Sequence, residues 1–346
     1  MSFSQVLAHV SVKVMKWSKL VRGINVVAFS CMVLAVLLPE IVEARLRVVA
    51  TTTILADTVQ QIGHDKVTVR SLMGSNPHHY KIRTEDIRHL SQAHLVIYNG
   101  LSIENGLRRV LSQLPKDVYI VDASDCLPKK NLRSSHQFDD HHSHSHPENS
   151  CGYHYDPHFW LNVNHWMVVV RQIEKSLKVI DSNQAHFYHM SSNKYLGQLN
   201  ELDQYIRSQS EKIPTNLRFL VTSHNALGYF GQAYGFETDG LMGTEGEETS
   251  IANLRRLSYK IMDQKLTTIF WDNTTSRKSM QALQESILAK GHKVSLAGPI
   301  LVGGVLDSRQ TLQNCDKHNH STYDGMMRHN VDTILVHLTP SRDDGN

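Results

Sequence analysis

The chain has little charge of either sign to spare. Its 36 Lys and Arg are nearly cancelled by 33 Asp and Glu, leaving a formal net charge of +3. So small an excess gives no electrostatic footprint for nucleic acid or for an anionic membrane surface. The sequence contains no H-E-x-x-H, no Gly-x-Ser-x-Gly and no phosphate-cradling glycine loop. It therefore lacks the local signatures of a zinc protease, an α/β-hydrolase and a nucleotide-binding enzyme. No short-period repeat is present. Cysteine is scarce, with four residues at 31, 126, 151 and 315.

At the N-terminus, Lys13, Lys16, Lys19 and Arg22 precede an apolar run from Ile24 to Leu38, followed by PEIVEA. A basic region, an apolar region and a small-residue site make a secretory signal. Val42 and Ala44 suit a cut after Ala44, so residues 1–44 are expected to be a signal peptide and the mature chain to be periplasmic. The apolar run is shorter than the roughly 20 residues a spanning helix needs. Cys31, in VAFSC, fits a lipid-attachment site poorly and would leave MVLAVLL at the mature end. After the cut, Cys126, Cys151 and Cys315 remain. Cys126 and Cys151 bracket a His-rich tract, and an exported compartment permits a disulfide between them. Pairing itself depends on geometry the sequence does not reveal. Cys315 would be left over.

The length of 346 residues suggests two domains. From Arg45 to Ala123, LRVVATTT, KVTVRSLM, HLVIYNG and DVYIVDA read as strands. They alternate with the helical stretches ILADTVQQIG, the segment after Thr84 (a plausible N-cap) and LRRVLSQL. VNHWMVVVRQIEKSLKVI reads as a helix. A second, from about Asn183 to Lys212, carries Phe187, Met190, Tyr195, Leu199, Leu202 and Ile206 as apolar positions and ends at Pro214. It would span roughly 40 Å, long enough to connect two domains. The alternation restarts with the strand FLVTSHN and the helix LGYFGQAYG. Further strands at LTTIFWDN and KVSLAG alternate with helices up to TYDGMMRHNVDTILVHL. Strands alternating with helices predict an α/β fold with mostly parallel sheets.

The chemistry is in the histidines. The stretch from His136 to Trp160, HQFDDHHSHSHPENSCGYHYDPHFW, holds His136, His141, His142, His144, His146, His154 and His158. Neutral imidazole is the commonest protein metal ligand, so such a tract points to metal. Three histidines stand apart from it in character: His78 after a strand, His158 in DPHFW, and His224 at the end of a strand in TSHNALGYF. Open α/β sheets bind ligands at the carboxyl ends of their strands. Three imidazoles meeting there, with one oxygen ligand, make a normal tetrahedral zinc set.

These segments resemble the zinc/manganese solute-binding proteins of ABC importers, the cluster A-I family. NPHHY resembles that family's D-P-H-x-Y, and HLSQAHLVIYNGLSIE its L-x-x-A-D-L-V-x-Y-N-G-L-x-x-E. DPHFWLN is similar to D-P-H-x-W-x-D/N, TSHNALGYF to T-S-H-x-A-F-x-Y-F, TEGEETS to T-E-x-E-P-S, and MMRHNVDTI to the closing M-x-x-N-x-x-x-I helix. The likeness runs from about Val48 to Leu338.

The resemblance implies two lobes, each a mostly parallel sheet flanked by helices: an N-terminal lobe over 45–182, a linking helix over 183–212 and a C-terminal lobe over 213–346. It implies a non-enzymatic monomer that captures metal in the interlobe cleft and delivers it to a membrane permease. His78, His158 and His224 become the ligands. A histidine rather than a glutamate at 224 favours Zn2+ over Mn2+ or Fe2+, since carboxylates suit manganese. The family's fourth ligand is an Asp in a segment like L-Y-S-D-S-L. LVGGVLDSRQ departs from this, leaving Asp307 as the nearest candidate and Glu245 and Glu247 as weaker ones. NPHHY lacks the leading Asp, which concerns the turn more than the metal. His79 is too close in sequence to His78 for both to aim at one ion. The loop over 136–154 would collect zinc weakly, sense its excess or only solubilise the chain. An exported zinc hydrolase is the weaker alternative function.

Overall fold

The strands assemble as one four-stranded parallel sheet and two parallel pairs. The computed structural model describes residues 45–74, 77, 80–104, 106–135, 155–244, 249–306 and 318–339. The first sheet has the order β2-β1-β3-β4, all parallel, from β1 (Leu46–Ala50), β2 (Val67–Ser71), β3 (Leu95–Tyr98) and β4 (Tyr119–Asp122). Its central strands LRVVA and LVIY are rich in β-branched residues and almost wholly buried, as strands covered on both faces must be.

The helices α1 (Thr53–Gly63), α2 (Thr84–Gln92) and α3 (Arg108–Leu111) connect these strands. The Thr52 hydroxyl accepts from the Leu55 N–H and starts α1. At α2 the cap is Arg83, not Thr84, because the Asp86 carboxylate reaches back to accept from the Arg83 N–H at 2.9 Å. The helix expected from LRRVLSQL is a single turn.

The next two helices form an antiparallel pair. In α4 (Val163–Ile180), the Asn162 side chain accepts from the N–H groups of Asn164 and His165. The long α5 (Ala185–Glu211) has 27 residues. Its buried stripe is Tyr188, Ser192, Tyr195, Leu199, Leu202, Ile206 and Ser210, the three- and four-residue spacing of one helix face. Met190 falls off this stripe and is 56% exposed, and Phe187 packs only at its edge. The expected apolar face is thus rotated at its first turns, where Tyr188 and Ser192 take the inward positions.

The second half holds two parallel strand pairs, β5 (Phe219–His224) with β6 (Glu237–Met242), and β7 (Thr268–Asp272) with β8 (Ser295–Ile300). The helices are α6 (Gly228–Tyr234), α7 (Ile251–Asp263), α8 (Arg277–Leu288) and α9 (Tyr323–Leu338). Gly235 ends α6 at φ 79°, the left-handed cap that glycine supplies. β6, ETDGLM, was not evident in the sequence: it has no β-branched run and carries a glycine. β5 lies beside β7. At their carboxyl ends side chains replace ladder bonds, with the Asp272 N–H donating to Ser223 Oγ and the His224 N–H to the Asp272 carboxylate.

The chain is therefore a two-lobed α/β protein in which α5 packs against α1, α4 and α9. One apolar core runs from β1 and β3 through α4 and α5 to α9 and β8. Arg45–Asn346 accordingly holds together as one compact unit. Among the described residues no helix is long and apolar enough to cross a membrane.

Candidate metal centre

His224 is the last residue of β5 and His158 precedes the short turn Phe159–Leu161 that leads into α4. Both rings are fully buried. Their Nε2 atoms face each other at 3.3 Å, with ring planes inclined by 57°. Two nitrogens bound to one tetrahedral zinc at about 2.0–2.1 Å stand about 3.3–3.4 Å apart. The observed spacing is that of two ligands on one ion.

Each ring is held from behind by a carboxylate. Asp156 Oδ1 meets His158 Nδ1 at 2.8 Å and accepts from the His158 backbone N–H at 2.9 Å. Asp272 Oδ2 does the same for His224, at 3.0 Å from Nδ1 and 3.1 Å from the backbone nitrogen. The other Asp272 oxygen accepts from the Thr274 N–H and hydroxyl and, at 3.3 Å, from the Thr275 hydroxyl. A carboxylate at Nδ1 keeps the proton there and turns the Nε2 lone pair outward, the tautomer a metal requires. Burial pulls His158 below its ordinary pKa, against the Asp156 hydrogen bond. Burial also pulls Asp272 upward, but the His224 imidazole and the Thr274 donors together outweigh it and hold the carboxyl well below its usual range. Gly240 of β6 permits this packing, because a Cβ there would lie 2.4 Å from the Asn225 nitrogen and 2.7 Å from the His224 carbonyl carbon.

Asp272 and its role were not singled out from the sequence. It sits 48 residues from His224, at the polar end of LTTIFWDN. Its place at a strand's carboxyl end was the one available signal.

The other expected ligands are not among the residues described. His78, His79, Glu245, Glu247 and Asp307 are outside the described residues, as are His136, His141, His142, His144, His146, His154, Cys151 and Cys315. Among the described residues no group of three or more His, Cys, Asp or Glu is placed to hold a metal ion. Cys126 donates its thiol to the Ala123 carbonyl at 3.2 Å, and burial pushes its pKa up to about 11. In the polar loop before α9, His318 binds Asp332 at 2.9 Å, and His320 stacks edge-on against His329.

A third buried carboxylate, that of Glu104, braces the centre. In NGLSIE the backbone turns left-handed through Gly100, Leu101 and Ser102, at φ 85°, 50° and 73°. That turn returns Glu104 to the start of the loop. Its carboxylate accepts from the Thr51 hydroxyl and the Asn99 N–H, both at 2.6 Å, and from the Gly100 N–H at 3.0 Å. Asn99 Nδ2 in turn donates to the Pro157 carbonyl, next to His158, at 3.3 Å.

Burial raises the Glu104 pKa from 4.5 to about 7, against those donors. A group that holds its proton more tightly when folded stabilises the fold at low pH. That contribution fades as pH rises from 4.5 through about 7. The melting temperature of the metal-free chain should therefore exceed that of Glu104→Gln by more at about pH 5 than at about pH 8. A gap independent of pH would contradict this.

The chain matches the family described as zinc-uptake complex component A, periplasmic (ZnuA), over residues 48–336. It belongs to that family. The zinc-binding protein TroA of Treponema pallidum is 31% identical over 294 residues, 84% of this chain and 88% of that protein. The manganese-binding lipoprotein MntA of Bacillus subtilis is 30% identical over 299 residues, 86% of this chain and 90% of that protein. The solved structure of the periplasmic zinc-binding protein TroA superposes with a TM-score of 0.76, covering 86% of this chain and all of that one. The resemblance seen in the DPHFWLN and TSHNALGYF motifs is thus borne out at the level of family and fold.

Proposed function

We propose that this ZnuA-family chain is the extracytoplasmic metal receptor of an ABC importer, and that its cargo is Zn2+. The observation that carries this reading is the pair of buried imidazoles with their Nε2 atoms 3.3 Å apart, each backed by its own carboxylate. With both Nδ1 atoms donating, two lone pairs face one another, and a cation between them relieves the repulsion. Both carboxylates are taken up in orienting rings, so neither is available as the general base a zinc hydrolase needs. This favours holding the ion over reacting through it.

The full ligand set in this reading is His78, His158, His224 and, as the oxygen donor, Asp307. The lobes are 45–182 and 213–346, with 183–212 as the link. The mature chain starts after Ala44, lies in the periplasm and delivers its ion to a membrane permease. The tract over 136–154 is a weak collector. Manganese is the second reading, supported by the manganese-binding relative in Bacillus subtilis. Imidazole at 224 in place of a carboxylate favours zinc.

Deleting Gln137 to Ser150 should abolish weak zinc sites and leave one tight site per chain. Elemental analysis followed by competitive titration with zinc and manganese tests both the site and the metal. Loss of the tight site would make the tract a primary ligand source. Displacement of the bound zinc by equimolar manganese would overturn the choice of metal.

A further inference from the structure

The segments that bring His158 and His224 together are joined a second time, by a hydroxyl. Tyr229 follows His224 on the first turn of α6 and is fully buried. Its hydroxyl donates to the Asp156 carbonyl at 2.9 Å and accepts from the Arg133 N–H at 2.9 Å. Those two partners are themselves paired. The Asp156 N–H donates to the Arg133 carbonyl at 2.9 Å, and Ser134 and Tyr155 form an antiparallel bridge beside them. Asp156 is also the residue whose carboxylate orients His158. Burial raises the Tyr229 phenol well above its ordinary pKa, so the hydroxyl keeps the proton it donates. Gly228 makes room for the contact, because a Cβ there would lie 2.5 Å from Arg133 Nε. The His165 ring packs edge-on against the Tyr229 ring at 5.5 Å and fixes its position.

We propose that Tyr229 is a positioning residue: its hydroxyl clasps the paired Arg133–Asp156 backbone and holds the His158 turn in register with the His224 turn, so that metal leaves only when this clasp opens. The proposal rests on the receptor reading above. Two imidazoles must hold their spacing to within a few tenths of an ångström to share an ion, and orienting each ring on its own turn does not by itself fix the distance between the two turns. The clasp runs parallel to the His158–His224 contact, from residue 229 to residue 156 as the rings run from 224 to 158. Opening the space between the rings therefore requires breaking this bond as well. Because ring spacing and clasp belong to one closed arrangement, a bound ion must also favour the closed clasp.

Tyr229→Phe removes the hydroxyl and keeps the ring. The full-length chain, loaded with one equivalent of zinc, is mixed with a chromogenic chelator and the slow phase of zinc release is followed. The variant should release zinc about tenfold faster, the size of effect expected for a residue behind a ligand, while its association rate stays within about twofold. The Co2+-loaded variant should also show an altered d–d spectrum, which a purely structural role elsewhere would leave unchanged. Equal slow-phase rates in the two proteins would overturn the clasp. A wild-type chain with no slow phase would instead overturn the receptor reading beneath it. Should the variant not fold, hydrogen exchange at the Arg133 amide of the wild type decides: slower exchange with zinc than without supports the clasp, and equal exchange overturns it.

Discussion

His158→Ala is expected to lower zinc affinity at least about a thousandfold, close to 4 kcal/mol of binding free energy. The ring is one of the two that meet at 3.3 Å, and its place is fixed on three sides. Asp156 holds Nδ1, the Trp160 indole packs edge-on at 5.1 Å, and His224 faces Nε2. No neighbouring group among these can replace it. Asp156 and Asp272 are committed to the backbone nitrogens of the two histidines. The variant should still fold, because Asp156 keeps its bond to the backbone nitrogen of residue 158 and the apolar core beside it is untouched. A stability loss of about 2–4 kcal/mol is expected from the space left behind. Competitive titration against a chelator of known affinity reads the binding term, and urea unfolding reads the stability term. His189→Ala, which removes a half-exposed imidazole bonded to Glu174, should leave zinc affinity unchanged. Unaltered affinity in His158→Ala would mean that zinc binds away from the two facing rings.

Asp272→Asn should cost about 10–100-fold in zinc affinity without removing any ligand atom. The wild-type carboxylate is held ionised by its surroundings and only accepts hydrogen bonds. An asparagine offers one acceptor and one donor. If its oxygen stays with Thr274, its amide donates to His224 Nδ1 and drives the ring proton to Nε2, where it blocks the metal. If its oxygen turns to His224, the amide opposes the Thr274 N–H. Either way a buried donor loses its partner, at about 1–3 kcal/mol. The variant should therefore melt lower than wild type without metal and show a smaller zinc-induced rise in melting temperature. An equal rise in both proteins would show that the tautomer of His224 does not depend on Asp272.

These two predictions mark where the sequence can be read and where it cannot. His158 and His224 stand in local motifs, DPHFW and TSHNALGYF, whose residue types already suggest a ligand at a strand end or turn. The central strands are equally plain, since LRVVA and LVIY are rich in β-branched residues and have no place on a surface. Asp272 is different. Its meaning depends on a strand 48 residues away arriving beside it, and a single polar residue after an apolar run gives no sign of that. Glu104 lies in a motif, but the left-handed turn that folds it back onto Asn99 and Gly100 is a property of backbone torsions. The strand Glu237–Met242 was hidden because its stability comes from pairing with β5 rather than from its own residues. The rotated face of α5 follows from the same cause: its neighbours α1, α4 and α9 decide which side is inward.

The Trp160 indole touches the His158 ring on one side and donates through Nε1 to the Val302 carbonyl at 3.1 Å on the other. Its own carbonyl accepts from the Tyr323 hydroxyl at 2.6 Å. An indole so enclosed is sheltered from water and senses the charge state of the imidazole against it. The chain thus carries an optical reporter of its own. Metal arriving at His158 should change the emission of this tryptophan with no label attached, so that loading and unloading become visible in real time in the unmodified protein.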